Sequence, residues 1–267
     1  MIKLIVTDMD GTLLDDKQNP PGDLFEVMDM LNERGIRFTV ASGRTYRAVE
    51  YMFPEKYREN ICFICDNGAC TVLDGKPVNT VPLEREIYLR LLEECERIGG
   101  LTPVVCAESG VFHRRSDEKF FDEVGMYYKD HKVVENLAEV EGKVYKLAIC
   151  DEDGLALTHG KTALDAVFNG SLNVLVSGVK WMDVMAGGVS KGTALKALQE
   201  KLCVTREETM AFGDYFNDVD MLTSAEWSFC MENGHEDVKR LCKFTAPDNN
   251  HGGVTRCIKR YALNLEK

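Results

Sequence analysis

Aspartates recur in this chain at places where carboxylate chemistry could be assembled. Asp8 and Asp10 stand two apart in Asp8-Met9-Asp10-Gly11-Thr12, and Asp214 and Asp218 flank Asn217 in a second cluster more than two hundred residues later. Between them lie Ser42-Gly43-Arg44 and a lysine, Lys191, after Ser190. In an extended segment residues i and i+2 share a face, so Asp8 and Asp10 can act on one reacting group, and Gly11 lets the chain turn behind them. One carboxylate can attack phosphorus to give an aspartyl phosphate, and a second can protonate the leaving alkoxide and later activate water. Bringing an anionic nucleophile to an anionic phosphate calls for a hard divalent cation, and Mg²⁺ accepts one or two carboxylates plus phosphate and water. Asp214 is a suitable further oxygen donor, with Asp218 orienting it from behind. Lys191 supplies fixed positive charge, Ser42 a hydroxyl and Gly43 a backbone N–H. Taken singly, each is ordinary: aspartates beside glycine form turns, and a lone lysine is usually solvated. The ordered set carries the reading.

These groups must be delivered by regular elements. The apolar run Leu4-Ile5-Val6 reads as a buried parallel strand whose carboxyl end carries Asp8 and Asp10, the edge at which open α/β sheets bind ligands. Leu24, Met28 and Leu31 recur at helical spacing and Gly35 closes that helix. Residues 36–40 form a second strand ending at Ser42-Gly43-Arg44. Tyr46, Val49 and Phe53 mark a helix, residues 61–65 a third strand, and Asp74-Gly75 a hairpin turn. Past Pro82 the pattern changes. A long amphipathic helix over 83–98 stops at Gly99-Gly100, then strands are expected over 102–106, 111–113 and 143–150. A helix is expected within 153–168, and a strand pair over 172–177 and 181–185. From Ser190 the first pattern resumes, with a helix to about Leu202, strands over 209–212 and 228–231, and a closing helix over 253–263. The expectation is an α/β domain, residues 1–82 with 187–267, interrupted by an α+β domain over 83–186, with Gly187-Gly188 as the return hinge.

Composition narrows the classes. The chain has 267 residues, 45% of them hydrophobic, which suits globular domains. It carries 32 basic and 44 acidic side chains, net −12, against nucleic-acid binding but not against a small anionic substrate held by local positive charge. No signal segment and no bilayer-length apolar run is read, so a soluble cytoplasmic protein is expected. Among ten cysteines only Cys62 and Cys65 form a Cys-x-x-Cys pair, and it sits inside a strand, so packing is expected rather than redox or zinc chemistry. His113-Arg114-Arg115 reads as a solvated strand end rather than an anion site, and Trp181 and Trp227 as packing residues.

The chain resembles the haloacid-dehalogenase-like phosphatases, in particular the Cof-type group with a class IIB α/β cap, along essentially its whole length. The matching segments are DMDGTLL at Asp8, SGR at Ser42, GVSKG at Lys191 and FGDYFND at Asp214. The resemblance implies a Rossmann-like parallel-sheet core with an inserted α+β cap. It implies Asp8 as nucleophile and Asp10 as general acid/base. Mg²⁺ would be bound by the Asp8 carboxylate, the Asp10 main-chain carbonyl and Asp214, and phosphate by the Met9 main chain, Ser42, Gly43, Lys191 and Asn217. Many relatives carry Thr in place of Ser42, and the hydroxyl is kept. Asn67-Gly68-Ala69 also looks like a family segment, mainly structural, beside the hinge and open to a substrate contact. Related ion pumps and dehalogenases lack the second aspartate, so Asp10 favours phosphatase. The implied activity is Mg²⁺-dependent hydrolysis of a small phosphorylated metabolite, sugar phosphates first and phosphorylated cofactors such as flavin mononucleotide or pyridoxal phosphate next. A phosphomutase of the same superfamily and a non-catalytic phosphate-responsive binding protein are the alternatives.

Overall fold

The computed structural model describes residues 1–115, 125, 128, 131–177 and 179–265. Its contacts divide the chain into two compact units, Met1–Asn79 with Ser190–Lys267, and Thr80–Val189.

The first unit is built on a sheet of eight strands in the order β14-β13-β12-β1-β2-β3-β4-β5. In chain order these are β1 Leu4–Asp8, β2 Arg37–Ala41, β3 Ile61–Cys65, β4 Cys70–Leu73, β5 Lys76–Thr80, β12 Thr209–Gly213, β13 Trp227–Met231 and β14 Phe244–Ala246. The strands from β14 through β12 and β1 to β3 pair in parallel, and β4 returns antiparallel to β3. All five residues of β1 and of β3 are buried, as strands covered on both faces must be. The chain leaves β1 toward β2 and β3 on one side and later fills the other side with β12 to β14. The strand order therefore reverses at β1 and β12, and such a switch point opens a crevice at the carboxyl ends. The pairing puts Asp8 level with Ala41 and Thr7 level with Phe212. Ser42 and Gly213-Asp214 thus emerge on either side of Asp8. The turn into β5 takes positive φ at Asp74 (50°) and Gly75 (71°), the hairpin geometry that an Asp-Gly pair favours.

The second unit has six strands in the order β10-β11-β9-β6-β7-β8. They are β6 Leu101–Ala107, β7 Gly110–Arg114, β8 His131–Val134, β9 Val144–Asp151, β10 Leu172–Val176 and β11 Trp181–Ala186. Tyr88, Leu91 and Cys95 of helix Arg85–Ile98 and Leu164 and Phe168 of helix Thr162–Phe168 share one core with Leu147, Ile149, Met182 and Val184 of the sheet. Val104, Cys106, Val111, Tyr128 and Ala148 form a separate cluster, against which Trp181 packs.

The chain is thus an α/β protein, a Rossmann-like parallel-sheet core carrying an inserted α+β cap. Several elements differ locally from the pattern expected of them. The helix expected within 153–168 is a wide turn over Ala156–Lys161 before the α-helix proper. The closing helix likewise widens after Cys257. β8 and β14, four and three residues long, are too short to show as strands in the sequence; β8 pairs parallel to β7 and β14 parallel to β13. His113 is buried against the ring of His131, 4.9 Å away, whereas Arg114 and Arg115 pair with Glu96 and Glu135, so only the arginines fit a polar strand end. Cys62 and Cys65 are both buried in β3, and burial pushes the Cys62 thiol up to about 11, the mark of a packing residue. Trp227 stacks on Phe244. No helix among the described residues is long and apolar enough to cross a membrane.

Candidate active site

Lys191 is the first residue of helix Lys191–Leu202, and a reciprocal cap holds it there. The Ser190 hydroxyl accepts from the Thr193 N–H (3.1 Å), and the Thr193 hydroxyl accepts from the Ser190 N–H (2.9 Å). Gly192 allows the helix to lie against the chain at Asp220, since a Cβ there would stand 2.3 Å from Asp220 Cβ. The Lys191 side chain is 1% exposed and donates to Asp8 Oδ1 (2.5 Å) and to Asp218 Oδ1 (2.7 Å). Asp218 accepts on its other oxygen from the N–H groups of Asp214 (3.1 Å) and Tyr215 (3.4 Å). Both Asp218 oxygens are thus engaged, and its geometry is that of a group that orients Lys191 and the Asp214 loop.

Asp8, Asp214 and Asp218 present carboxylate oxygens within 4.8 Å of one another, the single such group of possible ligands found among the described residues. The Asp214 carboxylate accepts from the Thr12 hydroxyl (3.2 Å) and lies over Gly11, where a Cβ would stand 2.6 Å from Asp214 Oδ2. Gly11 takes φ +78°, so the turn and the close approach both require glycine there. Burial lifts Asp8 well above the usual carboxylate range, against the pull of Lys191 and with repulsion from Asp218 and Asp214 adding to it. Burial and then the Asp218 charge lift Asp214 to about 6. The two carboxylates hold Lys191 protonated against its own desolvation. Three acids facing one lysine leave negative charge uncompensated in a buried place, and hard oxygen donors at this spacing suit a small divalent cation.

Asp10 stands apart from this cluster. Its side chain is 46% exposed, and its two oxygens accept from Arg44 Nε (3.0 Å) and Nη2 (2.5 Å). Arg44 comes from the loop after β2, which the turn after β3 holds. The Asp66 N–H donates to the Arg44 carbonyl (2.9 Å), and the Asn67 N–H donates to that of Ser42 (3.0 Å). Asp66, Asn67 and Gly68 take consecutive positive φ values of 50°, 53° and 107°. Such backbone strain in non-glycine residues persists where surrounding contacts over-determine it. Gly68 is pressed on the start of the Lys191 helix, where a Cβ would stand 2.2 Å from the Ser190 carbonyl oxygen. Asn67-Gly68-Ala69 therefore joins the Ser42 loop to the Lys191 helix by packing.

The remaining expected residues lie along the same loops. Ser42 is buried, and its hydroxyl accepts from the Arg44 N–H (3.1 Å). Gly43 abuts the Asn67 side chain, which a Cβ would approach to 3.1 Å. Met9 is buried and its carbonyl accepts from the Thr12 and Leu14 N–H groups. Asn217 is half-buried on the turn between Asp214 and Asp218. Four residues at the site had no assigned role in the sequence. Thr12 supports Asp214 and Arg44 engages Asp10, although both lie within the quoted motifs. Gln18 accepts from Arg44 Nη2. Asn233 donates to the Gly11 carbonyl (2.7 Å) from across the sheet, signalled only by the glycine after it.

Comparison with known proteins places the chain in a family. A family model described as haloacid dehalogenase-like hydrolase matches residues 5–258. The chain is 31% identical over 262 residues to 5-amino-6-(5-phospho-D-ribitylamino)uracil phosphatase YbjI of Escherichia coli, covering 97% of this chain and 96% of that protein. It is 26% identical to the Bacillus subtilis phosphatase YitU, named for the same substrate, over 97% of both. Among solved structures, a haloacid dehalogenase-like hydrolase from Bacteroides thetaiotaomicron superposes with a TM-score of 0.88 at 25% identity, covering 97% of this chain and 99% of that one. The subclass IIB sugar phosphatase BT4131 superposes with a TM-score of 0.81 at 20% identity, over 98% and 99%, a likeness of fold.

Proposed function

The chain belongs to the haloacid dehalogenase-like hydrolases and is a phosphatase of that family, and on that premise we propose that it hydrolyses a small phosphorylated metabolite through an aspartyl phosphate on Asp8. The observation that carries this reading is the buried Lys191 bridging Asp8 and Asp218 beside Asp214. One Asp8 oxygen accepts from Lys191; the other is the candidate nucleophile. It attacks phosphorus, the bond to the leaving oxygen breaks, and Asp10 gives that oxygen a proton. Asp10 then takes a proton from water, which attacks the aspartyl phosphate, releases inorganic phosphate and restores Asp8.

Lys191, the Ser42 hydroxyl, the Met9 main chain, the Gly43 N–H and the Asn217 side chain would neutralise and hold the phosphoryl oxygens. The oxygens that would hold Mg²⁺ are those of Asp8, Asp214 and the Asp10 main-chain carbonyl, and the ion would supply the positive charge that lets nucleophile and phosphate meet. Asp218 orients Lys191 and the Asp214 loop.

Residues 80–189 would act as a specificity cap, since the matched phosphate-handling residues all lie outside them. Sugar phosphates are the first substrate class to test. The phosphatases YbjI and YitU extend the test to phosphorylated ribitylamino-uracils. The experiment is a screen of such metabolites, ranked by kcat/KM, with Mg²⁺ and with EDTA. Phosphate release that needs Mg²⁺ and disappears in Asp8→Asn supports the reading. Phosphoryl transfer between substrate positions without release indicates a mutase, and binding without turnover indicates a sensor.

A further inference from the structure

We propose that Arg44 is a positioning residue for Asp10, aiming the proton-transferring carboxylate by a two-point guanidinium fork; the inference rests on the acid/base role proposed above for Asp10. Asp10 lies beyond the end of β1 with nearly half of its side chain exposed. An aspartate so placed has several rotamers open to it. A general acid must come within about 2.6–3.2 Å of the oxygen it protonates. A misplacement of about 1 Å can cost ~10²-fold in rate. Something must therefore fix this carboxylate, and its own backbone does not.

The Arg44 fork supplies that restraint. Nε and Nη2 each meet one Asp10 oxygen, the planar bidentate match that guanidinium offers and ammonium does not. Arg44 is itself held at several points. Its N–H donates to the Ser42 hydroxyl, its carbonyl accepts from Asp66, Nη1 lies 3.8 Å from the Met52 sulfur, and Nη2 also donates to Gln18. Strain gathers on both sides of it, since Gln18 takes φ +66° and Asp66 and Asn67 take φ +50° and +53°. A half-exposed ion pair stabilises a fold little, so such support is out of proportion to stability alone. A fork occupies about two of the roughly four lone-pair directions of a carboxylate and leaves the others for the proton it exchanges.

The test is the leaving-group dependence of the first turnover, read by rapid quench over a series from nitrophenyl to alkyl phosphates. Good leaving groups need little acid help and poor ones need much. Arg44→Met should lose ~10–100-fold with alkyl phosphates and far less with aryl phosphates. Arg44→Lys, which keeps charge without the fork, should show the same steepening to a smaller degree. Asp10→Asn combined with Arg44→Met should be no slower than Asp10→Asn alone. Mg²⁺ affinity by calorimetry should be the same in wild type and Arg44→Met. Equal loss across all leaving groups, additive loss in the double variant or weakened Mg²⁺ binding would overturn the inference while leaving the role of Asp10 intact. An Asp10→Asn series as flat as wild type would overturn that role first and the inference with it. Should Arg44→Met fail to fold, Arg44→Lys and Gln18→Ala give the same comparison, and a wild-type slope in both would count against the fork.

Discussion

At the scale of single residues the site is a problem of charge. Lys191 is bonded to both the buried Asp8 and the buried Asp218 carboxylates. Removing one partner of a buried ion pair typically costs about 3–5 kcal/mol because the survivor is stranded. Lys191→Met should therefore lower the melting temperature sharply and abolish phosphate release, and millimolar Mg²⁺ should recover part of the stability but none of the turnover. Calorimetric melting with and without the ion checks this; unchanged melting would mean that the pair is solvated. Asp8→Asn is the converse case. It removes the candidate nucleophile and relieves carboxylate repulsion, so it should stop turnover while leaving the melting temperature equal to or above that of wild type in EDTA. Appreciable turnover in Asp8→Asn would sink the covalent mechanism.

At the scale of elements, the loops after β1, β2, β3 and β12 are tied together by close backbone approaches as well as by side chains. Gly68 and Gly75 make the contrast measurable. Both take positive φ, 107° and 71°, but a Cβ at Gly68 would stand 2.2 Å from the Ser190 carbonyl oxygen whereas Gly75 has nothing within 4 Å. Gly75→Ala should cost about 1 kcal/mol, the conformational penalty alone. Gly68→Ala should cost about 2–4 kcal/mol, because strain and overpacking add, and should depress kcat through displacement of the Lys191 helix. Denaturant melts of the two variants, with kcat beside them, decide it; equal costs would show that the contact relaxes freely.

At the scale of the whole molecule, the raised acids make metal-free stability depend on pH in an unusual direction. Asp8 and Asp214 bind protons more tightly in the folded chain than their ordinary value of 3.8, Asp214 at about 6. From about pH 4 to 6 the folded state therefore holds more protons than the unfolded one, and the stability due to these groups falls as pH rises through that window. The depressed Asp15, Asp23, Asp248, Glu207, Glu208 and Glu236 act oppositely. Their contribution is present above their ordinary values and is lost as pH falls through their lowered ones. In EDTA the melting temperature should thus decline from pH 5 to pH 7, and Asp214→Asn should flatten the decline. Mg²⁺ should raise it more at pH 7 than at pH 5, since binding requires the carboxylates deprotonated. A Mg²⁺ shift independent of pH would refute the assignment of these carboxylates to the ion. Exchange of residues 80–189 for the insert of a relative should reorder substrate preference while keeping dependence on Asp8.

Much of this was legible in the amino-acid order alone, where the signal is local. Apolar runs mark β1, β2, β3 and β12, the Asp-Gly pair marks its hairpin, and Asp8, Asp10, Lys191, Asp214 and Asp218 stand out in the sequence as groups available for carboxylate chemistry. A strand of three or four residues is too short to carry such a signature, and β8 and β14 exist because a neighbouring strand offers them hydrogen bonds. The placement of β12 beside β1 joins residues two hundred positions apart through register, not composition. Only tertiary structure turned Asp10 toward Arg44, buried Lys191 between two carboxylates and reached Gly11 from Asn233. Residue types and spacing state which groups are available for chemistry; the distances and burial that set their charge states arise only when strands from opposite ends of the chain share one edge.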